Sequence, residues 1–450
     1  MTVKPAARTL AEFAVELRYE DIPSEIVERA KACIIDTIAA TIFGATLPWS
    51  KIVIAHVQKN GALGKAIVWG TALRLQAPGA AFANGALAHA FELDCTYHPS
   101  VGEHSGAALT SPGLAVAQSC GKSGRDLITA FVAASEVMYR IGHAGNKSIE
   151  KLGFHAPGLL GVFGGAIAAG RLWGLDVEQM TNALGIGGSL CSGVLEFSKS
   201  GGGHVKHLHI GRAAESGVMA AELAHGGFTG PHTVFEGEFG FLNIYCRDAI
   251  SDRLTADLGK VWRTQTILHK RYACHTLAHV PVEAVMRLKT NHGISSDDVA
   301  SISIASSAKM VSHHNIREPQ DMAMAQYSTP FCIALALCRD LRDPTVFCIE
   351  SLNDPMIRSL CRKVKLEVFE GHHADNQQPT RVKVILKDGR ELVQNMVDFP
   401  GMPNRPLRGG ALREKFDILT KSLPQATADR IFIQFDALET INNTAHLEMS

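Results

Sequence analysis

"PSEIVERAKACIIDTIAATIFGA", residues 23–45, sets Ile26, Ala30, Ile34, Ile38 and Ile42 four positions apart. Side chains at that spacing fall on one face of an α-helix. Small and apolar residues also occupy other faces, which predicts a helix buried among helices and not one lying on a surface. Ser24 stands where an N-terminal cap is expected, and Gly44 where the last turn closes. The stretches "GRDLITAFVAASEVMYRIG" and "GRAAESGVMAAELAHGG" share this Ala- and Gly-rich texture, and each closes on glycine. The expectation is a helical domain over residues 1–262.

Beyond residue 263 the period changes. "VASISIA" and "VKLEVF" alternate with period two, and "RVKVILKDGRELVQNMV" is two alternating runs joined at Asp388-Gly389, a hairpin signature. "MAMAQYSTPFCIALALC" between them reads as helix. After the Pro- and Gly-rich linker "DFPGMPNRPLRGG", the segment "ALREKFDILTKSL" is helical again. The predicted class is mainly α: a large all-helical domain from residues 1–262 with 400–450, and a smaller α+β lid domain over 263–399.

Lys plus Arg and Asp plus Glu both number 44, a balance that argues against a nucleic-acid binder or a membrane-surface protein. The ten cysteines include no C-x-x-C pair and read as reduced core thiols of a cytoplasmic protein. "MTVKPAARTLAEF" lacks a signal-like apolar run, and "GLLGVFGGAIAAG" is too short to cross a bilayer.

Four stretches carry groups that handle protons or anions. "HAFELDCTYHPSVGEHSG", residues 89–106, holds Asp94, Thr96, His98 and His104 in or beside a loop broken by Pro99, Ser100 and Gly102. Glu92 and His89 read as structural polar groups of the preceding helix, and His98 as either kind. In "KLGFHAPGLLGVFGGAIAAG", His155 precedes a helix N-terminus, where the dipole favours neutral imidazole. "SGGGHVKHLHIGRAAESG" gathers His204, Lys206, His207 and His209 on a Gly-rich loop, with Arg212 opening a helix. Lys206 among these histidines disfavours a cation, so no metal is expected. "ILHKRYACHTLAHVPVEAV" contributes Lys270, Arg271, His275 and His279; Cys274 there reads as a core thiol rather than a nucleophile. Tyr327 in "MAQYSTP" is weak on composition alone. Together these groups suit a small polyanion and proton abstraction beside a carboxylate, which needs a base near the C–H bond and fixed positive charge where the anion develops.

In "AAFANGALAHAFELDCT", "HAPGLLGVFGGA", "KHLHIGRAAESGV", "KRYACHTLAH" and "AQYSTPFCIALAL" the chain resembles the MmgE/PrpD family over nearly its whole length. That family includes 2-methylcitrate dehydratases, cis-aconitate decarboxylases and an iminodisuccinate epimerase. "DIPSEIVERAK" and "YACHTLAHVPVEA" look most like the fungal cis-aconitate decarboxylases. The resemblance implies a homodimer with no cofactor and no metal, acting on a small polycarboxylate. It implies Asp94, Thr96, His104, His155, Lys206, Lys270, His275 and Tyr327 as site residues. His104 and His155 are expected to transfer protons, and Lys206 and Lys270 to hold carboxylate. Cys95 and Glu92 stand where many members have Asp, and Ala273 where Pro is common. The leading expectation is a lyase of the dehydratase or decarboxylase type, against an epimerase of a small dicarboxylate and a catalytically dead metabolite binder.

Overall fold

The 23–45 stretch forms the helix Ser24–Ala45, buried over nearly its whole length. Pro23, not Ser24, occupies the cap position, and its side chain makes no capping hydrogen bond. Gly44 lies inside the last turn because another backbone needs the room: a Cβ there would sit 2.0 Å from the carbonyl oxygen of Leu87. The computed structural model describes residues 4–99, 102–200, 202–370 and 377–447.

The chain divides into two compact units. The first comprises Met1–Ala90, Asp94–Leu268 and Arg408–Ser450, and the second Phe91–Leu93 and His269–Leu407. Sequence texture changes at 262/263 and 399/400; the division in space falls at 268/269 and 407/408. Texture gave no sign that three residues of the 89–106 stretch belong with the second unit.

In the first unit the helices Ala77–Ala88, Ala156–Trp173 and Val205–His225 pack closely. Glycine permits the approach. A Cβ at Gly217 would lie 2.7 Å from the backbone of Gly165 and Ala166, and one at Gly211 would lie 2.7 Å from the Phe82 carbonyl oxygen. The stretch opening at Gly124 is a helix, Gly124–Ala144, started by a Ser123–Asp126 capping box. The unit is not wholly helical. Leu63–Ile67 pairs with Arg74–Leu75, and Thr96–Tyr97 with Ile267–Leu268, as two short antiparallel ladders. "ALREKFDILTKSL" falls on the helix Gly410–Leu419 of this unit, where Lys415 pairs with the buried Asp36 of helix Ser24–Ala45.

The second unit is built on a four-stranded sheet in the order Val364–Val368, Val299–Ser306, Thr380–Leu386, Glu391–Met396. The first pair is parallel and the other two antiparallel. The Asp388-Gly389 turn joins the last two strands, with Gly389 at φ +89°, a conformation glycine adopts without steric cost. "MAMAQYSTPFCIALALC" is two helices, Met322–Tyr327 and Thr329–Cys338, and not one. Ser328 divides them and accepts the Phe331 N–H as a cap.

Among the described residues no single helix is long and apolar enough to cross a membrane. One bent helix pair, Ser24–Ala45 with Pro48–Asn60, passes by length and composition.

Candidate active site

The helix Ala77–Ala88 stops one residue short of His89, which caps it. His89 is fully buried. Its Nδ1 lies 3.1 Å from both carboxylate oxygens of Asp94. Asp94 Oδ2 also lies 2.9 Å from His104 Nδ1. One buried carboxylate therefore holds two imidazoles, whose rings meet edge to face with centroids 4.5 Å apart. Burial pushes the Asp94 carboxyl up, but His104 and His89 outweigh it and hold the group well below its ordinary range. Burial, helped by Lys206 and His104, drives His89 well down against the pull of Asp94. The arrangement is a carboxylate between a neutral His89 and a His104 whose Nε2 is left for chemistry.

Thr96 contributes to the loop. Its hydroxyl donates to the Glu103 carbonyl, while Thr96 and Tyr97 pair with Leu268 and Ile267. The His98 N–H donates to the Thr266 carbonyl at 2.9 Å. Ser100 and Val101 lie outside the described residues. Cys95 is fully buried, its Sγ 3.7 Å from Ser105 Oγ.

His155 caps the helix Ala156–Trp173, with Pro157 in its first turn. Its pKa is held well below the ordinary histidine value, and the first cause is burial, followed by the neighbouring His209, His104 and His207. The position before a helix was readable in sequence; the dominance of burial was not. His155 Nδ1 lies 3.0 Å from His209 Nδ1, so one of these nitrogens carries the proton and the other accepts it.

Lys206, His207, His209 and Arg212 all stand on the helix Val205–His225, which starts at the second residue of "HVKHLH". The sequence reading put the first three on a Gly-rich loop and started the helix at Arg212. Lys206 is buried. Burial and then Lys206 bring His207 down to about 3. His204 and His207 stack on Trp49 with centroids 5.1 and 6.5 Å away.

His89, Asp94 and His104 place three ligand-type atoms within 4.8 Å of one another. A cation at their centre would displace both imidazole–carboxylate hydrogen bonds and would stand in the field of Lys206, which already depresses His89. The donor set fits a proton-carrying cluster better than a metal centre.

The second unit holds the other candidates. Glu92 is not a polar group of the preceding helix: it lies beyond the helix end, at φ 55° and buried. Left-handed backbone is costly for a residue with a Cβ and is retained where the surroundings demand it. Lys270 Nζ donates to Glu92 Oε2 at 2.6 Å, and Tyr327 Oη donates to Glu92 Oε1 at 3.2 Å. The Gln326 side chain donates to the Phe91 carbonyl at 3.1 Å, fixing the same segment. Lys270 and Tyr327 thus meet on a carboxylate that the sequence reading assigned elsewhere.

His275 stacks on His314, with centroids 3.8 Å apart and planes 12° from parallel. Tyr327 lies over the same pair at 6.2 and 5.8 Å. His275 Nε2 lies 3.1 Å from Thr329 Oγ1. Burial first, then His314, His279 and Lys270, hold His275 well below its ordinary value. Burial brings His314 to about 4. Beside them the Tyr272 N–H donates to His279 Nε2, His279 Nδ1 lies 3.2 Å from the His275 carbonyl, and Cys274 is fully buried with its Sγ 3.8 Å from His279 Nδ1.

Sequence reasoning read Glu92 and His89 as structural polar groups and named His209 without its His155 partner. His314, in "SHHN", carried no signal at all.

Residues 8–252 match the MmgE/PrpD N-terminal domain, and residues 272–440 match the MmgE/PrpD C-terminal domain. The chain belongs to the MmgE/PrpD family. Among its MmgE/PrpD relatives is a cis-aconitate decarboxylase of Aspergillus terreus, 29% identical over 442 residues covering 92% of this chain and 89% of the relative. Another is a cis-aconitate decarboxylase of Mus musculus, 27% identical over 472 residues and covering 99% and 93%. A cis-aconitate decarboxylase of Homo sapiens is 28% identical over 433 residues, covering 92% and 88%.

Proposed function

We propose that this MmgE/PrpD chain is a lyase acting on a small di- or tricarboxylate, with cis-aconitate the first substrate to try and decarboxylation the first reaction. The observation that carries the reading is the pairing of His104 Nδ1 with the buried Asp94 carboxylate at 2.9 Å. A carboxylate that holds one ring nitrogen sets the tautomer and stands opposite the charge that the ring carries when its other nitrogen takes a proton. The relatives' names point to the same chemistry.

Loss of CO2 from cis-aconitate breaks one bond from carbon to a carboxyl carbon. The electron pair stays on the carbon skeleton and spreads over the adjoining C=C toward a second carboxylate. A proton then adds at one end of this allylic system, and water restores the donor's proton. His104 is assigned that proton delivery, with His155 as the second proton-handling imidazole. Lys206 supplies fixed positive charge for a substrate carboxylate and for the developing anion. In the second unit, Lys270 and Tyr327, both held on Glu92, and His275 are proposed as further catalytic groups, Lys270 also as a substrate-binding one. Side chains supply every group this step uses, so we take it to run without cofactor or metal. We take the working protein to be a homodimer, which sedimentation equilibrium tests.

NMR of purified protein in D2O with cis-aconitate, citrate, 2-methylcitrate and iminodisuccinate tests the reading. Loss of CO2 or water supports it. Deuterium exchange or inversion without net loss assigns an epimerase instead.

A further inference from the structure

Asp94 holds two histidines, and the proposed reaction uses one. His89 is fully buried, and its Nδ1 is equidistant from the two Asp94 oxygens at 3.1 Å. A donor bridging both oxygens resists rotation of the carboxylate about its own axis. His104 uses only Oδ2, at 2.9 Å, and fixes nothing about Oδ1. His89 Nε2 has no hydrogen-bond partner among the described residues. Among the described residues the ring's hydrogen bonding is thus to Asp94 alone, and its other nitrogen is buried.

A carboxylate hydrogen-bonded to an imidazole can take two forms. Ionised, it accepts from His104 Nδ1–H and leaves Nε2 bare. Protonated, it becomes a donor to His104 Nδ1 and forces the ring proton onto Nε2. Burial alone favours the protonated form, and the two imidazoles oppose it. Removing one of the two donors therefore weakens what keeps Asp94 an acceptor. The groups facing this cluster are His104 and His155, with Lys206 and His207 from helix Val205–His225.

We propose that His89 is a positioning residue: its Nδ1–H holds the Asp94 carboxylate ionised and oriented, so that His104 keeps its proton on Nδ1 and presents Nε2. This rests on the assignment of His104 as proton carrier, yet its first readout needs no substrate.

The experiment is ring 15N NMR of the full chain labelled at histidine, with His104 assigned by the loss of its signals in His104→Gln. In the wild-type protein near pH 7, His89 and His104 are both expected as Nδ1–H tautomers. A wild-type His89 with its proton on Nε2 overturns the proposal before any variant of it is made. His89→Phe keeps a ring and removes the donor; at the same pH His104 is expected to move toward the Nε2–H tautomer. His89→Asn returns an N–H close to the position of Nδ1 and is expected to restore the wild-type tautomer. An unchanged His104 in His89→Phe overturns the proposal, as does a His89→Asn that behaves like His89→Phe. If His89→Phe does not fold, the wild-type spectrum and His89→Asn decide.

Where cis-aconitate is turned over, His89→Phe is expected to lower kcat on the order of 10–100-fold with KM little changed, by analogy with removing a hydrogen-bond partner that orients a metal-bound histidine. His89→Asn is expected to recover most of it. Failure of turnover with intact tautomers would count against the substrate assignment and leave the role of His89 standing.

Discussion

Lys270 Nζ lies 2.6 Å from Glu92 Oε2, and both side chains are almost completely buried. The Lys270 charge is met by a carboxylate, so a substrate carboxylate would share it with Glu92. Removing one partner of a buried ion pair leaves the other desolvated and alone, at a cost of about 3–5 kcal/mol. Glu92→Gln is therefore expected to lower the thermal midpoint, while a double change of Glu92 and Lys270 to Met should regain much of the loss. Thermal unfolding of the two variants beside the wild type checks this. Equal midpoints for Glu92→Gln and wild type would contradict the pairing.

Histidines held neutral in the folded chain make stability depend on pH. His207 and His314 titrate at about 3 and about 4 in the folded chain, against about 6.5 when unfolded. Between those values the unfolded chain binds the extra protons, so stability rises with pH. It is complete above about pH 7 and falls as pH drops from about 6.5 toward 4. His314→Phe, which keeps a ring for His275 to stack on, should flatten that fall. Thermal midpoints between pH 7.5 and 4.5 measure it, and an unchanged slope counts against a neutral buried His314.

Asp94 works in the same direction at lower pH. Its pKa is depressed in the folded state, so its share of stability is present above the unfolded value and lost as pH falls through the folded one. Asp94→Asn should remove that share of the acid limb below about pH 4.

Cys95 fills a tight position. Its Sγ would lie 2.7 Å from a Cβ at Gly106, and it borders Ser105. Cys95→Asp would bury a second carboxylate one residue from Asp94. It is expected to lower the thermal midpoint and to leave turnover no higher than wild type. A Cys95→Asp chain as stable as the wild type would show that the pocket accepts charge.

The helical texture of residues 23–45 and the hairpin at Asp388-Gly389 were legible because each depends on local periodicity and a turn residue. The cap at Pro23, the interior place of Gly44 and the start of the helix at Val205 were not, since distant backbones and packing decide them. The clusters that carry chemistry were legible as residue types in short stretches. Their pairings were not. Lys206 reads as a loop residue until the helix through "HVKHLH" is seen, and Glu92 reads as a helix polar group until its left-handed backbone turns it to Lys270. Three residues, Phe91–Leu93, change units with no change in composition to announce it.

The central claim is that His104, held by Asp94, delivers a proton in a reaction that removes a group from a small polycarboxylate. The most direct measurement follows CO2 release from cis-aconitate in D2O by the wild-type chain and by a folded His104→Ala variant. The account predicts CO2 release with one solvent deuteron on the product carbon for the wild type. For the variant it predicts kcat lower by about 10²–10⁴-fold, as for loss of a general acid. A His104→Ala chain that turns over as fast as the wild type would contradict the account.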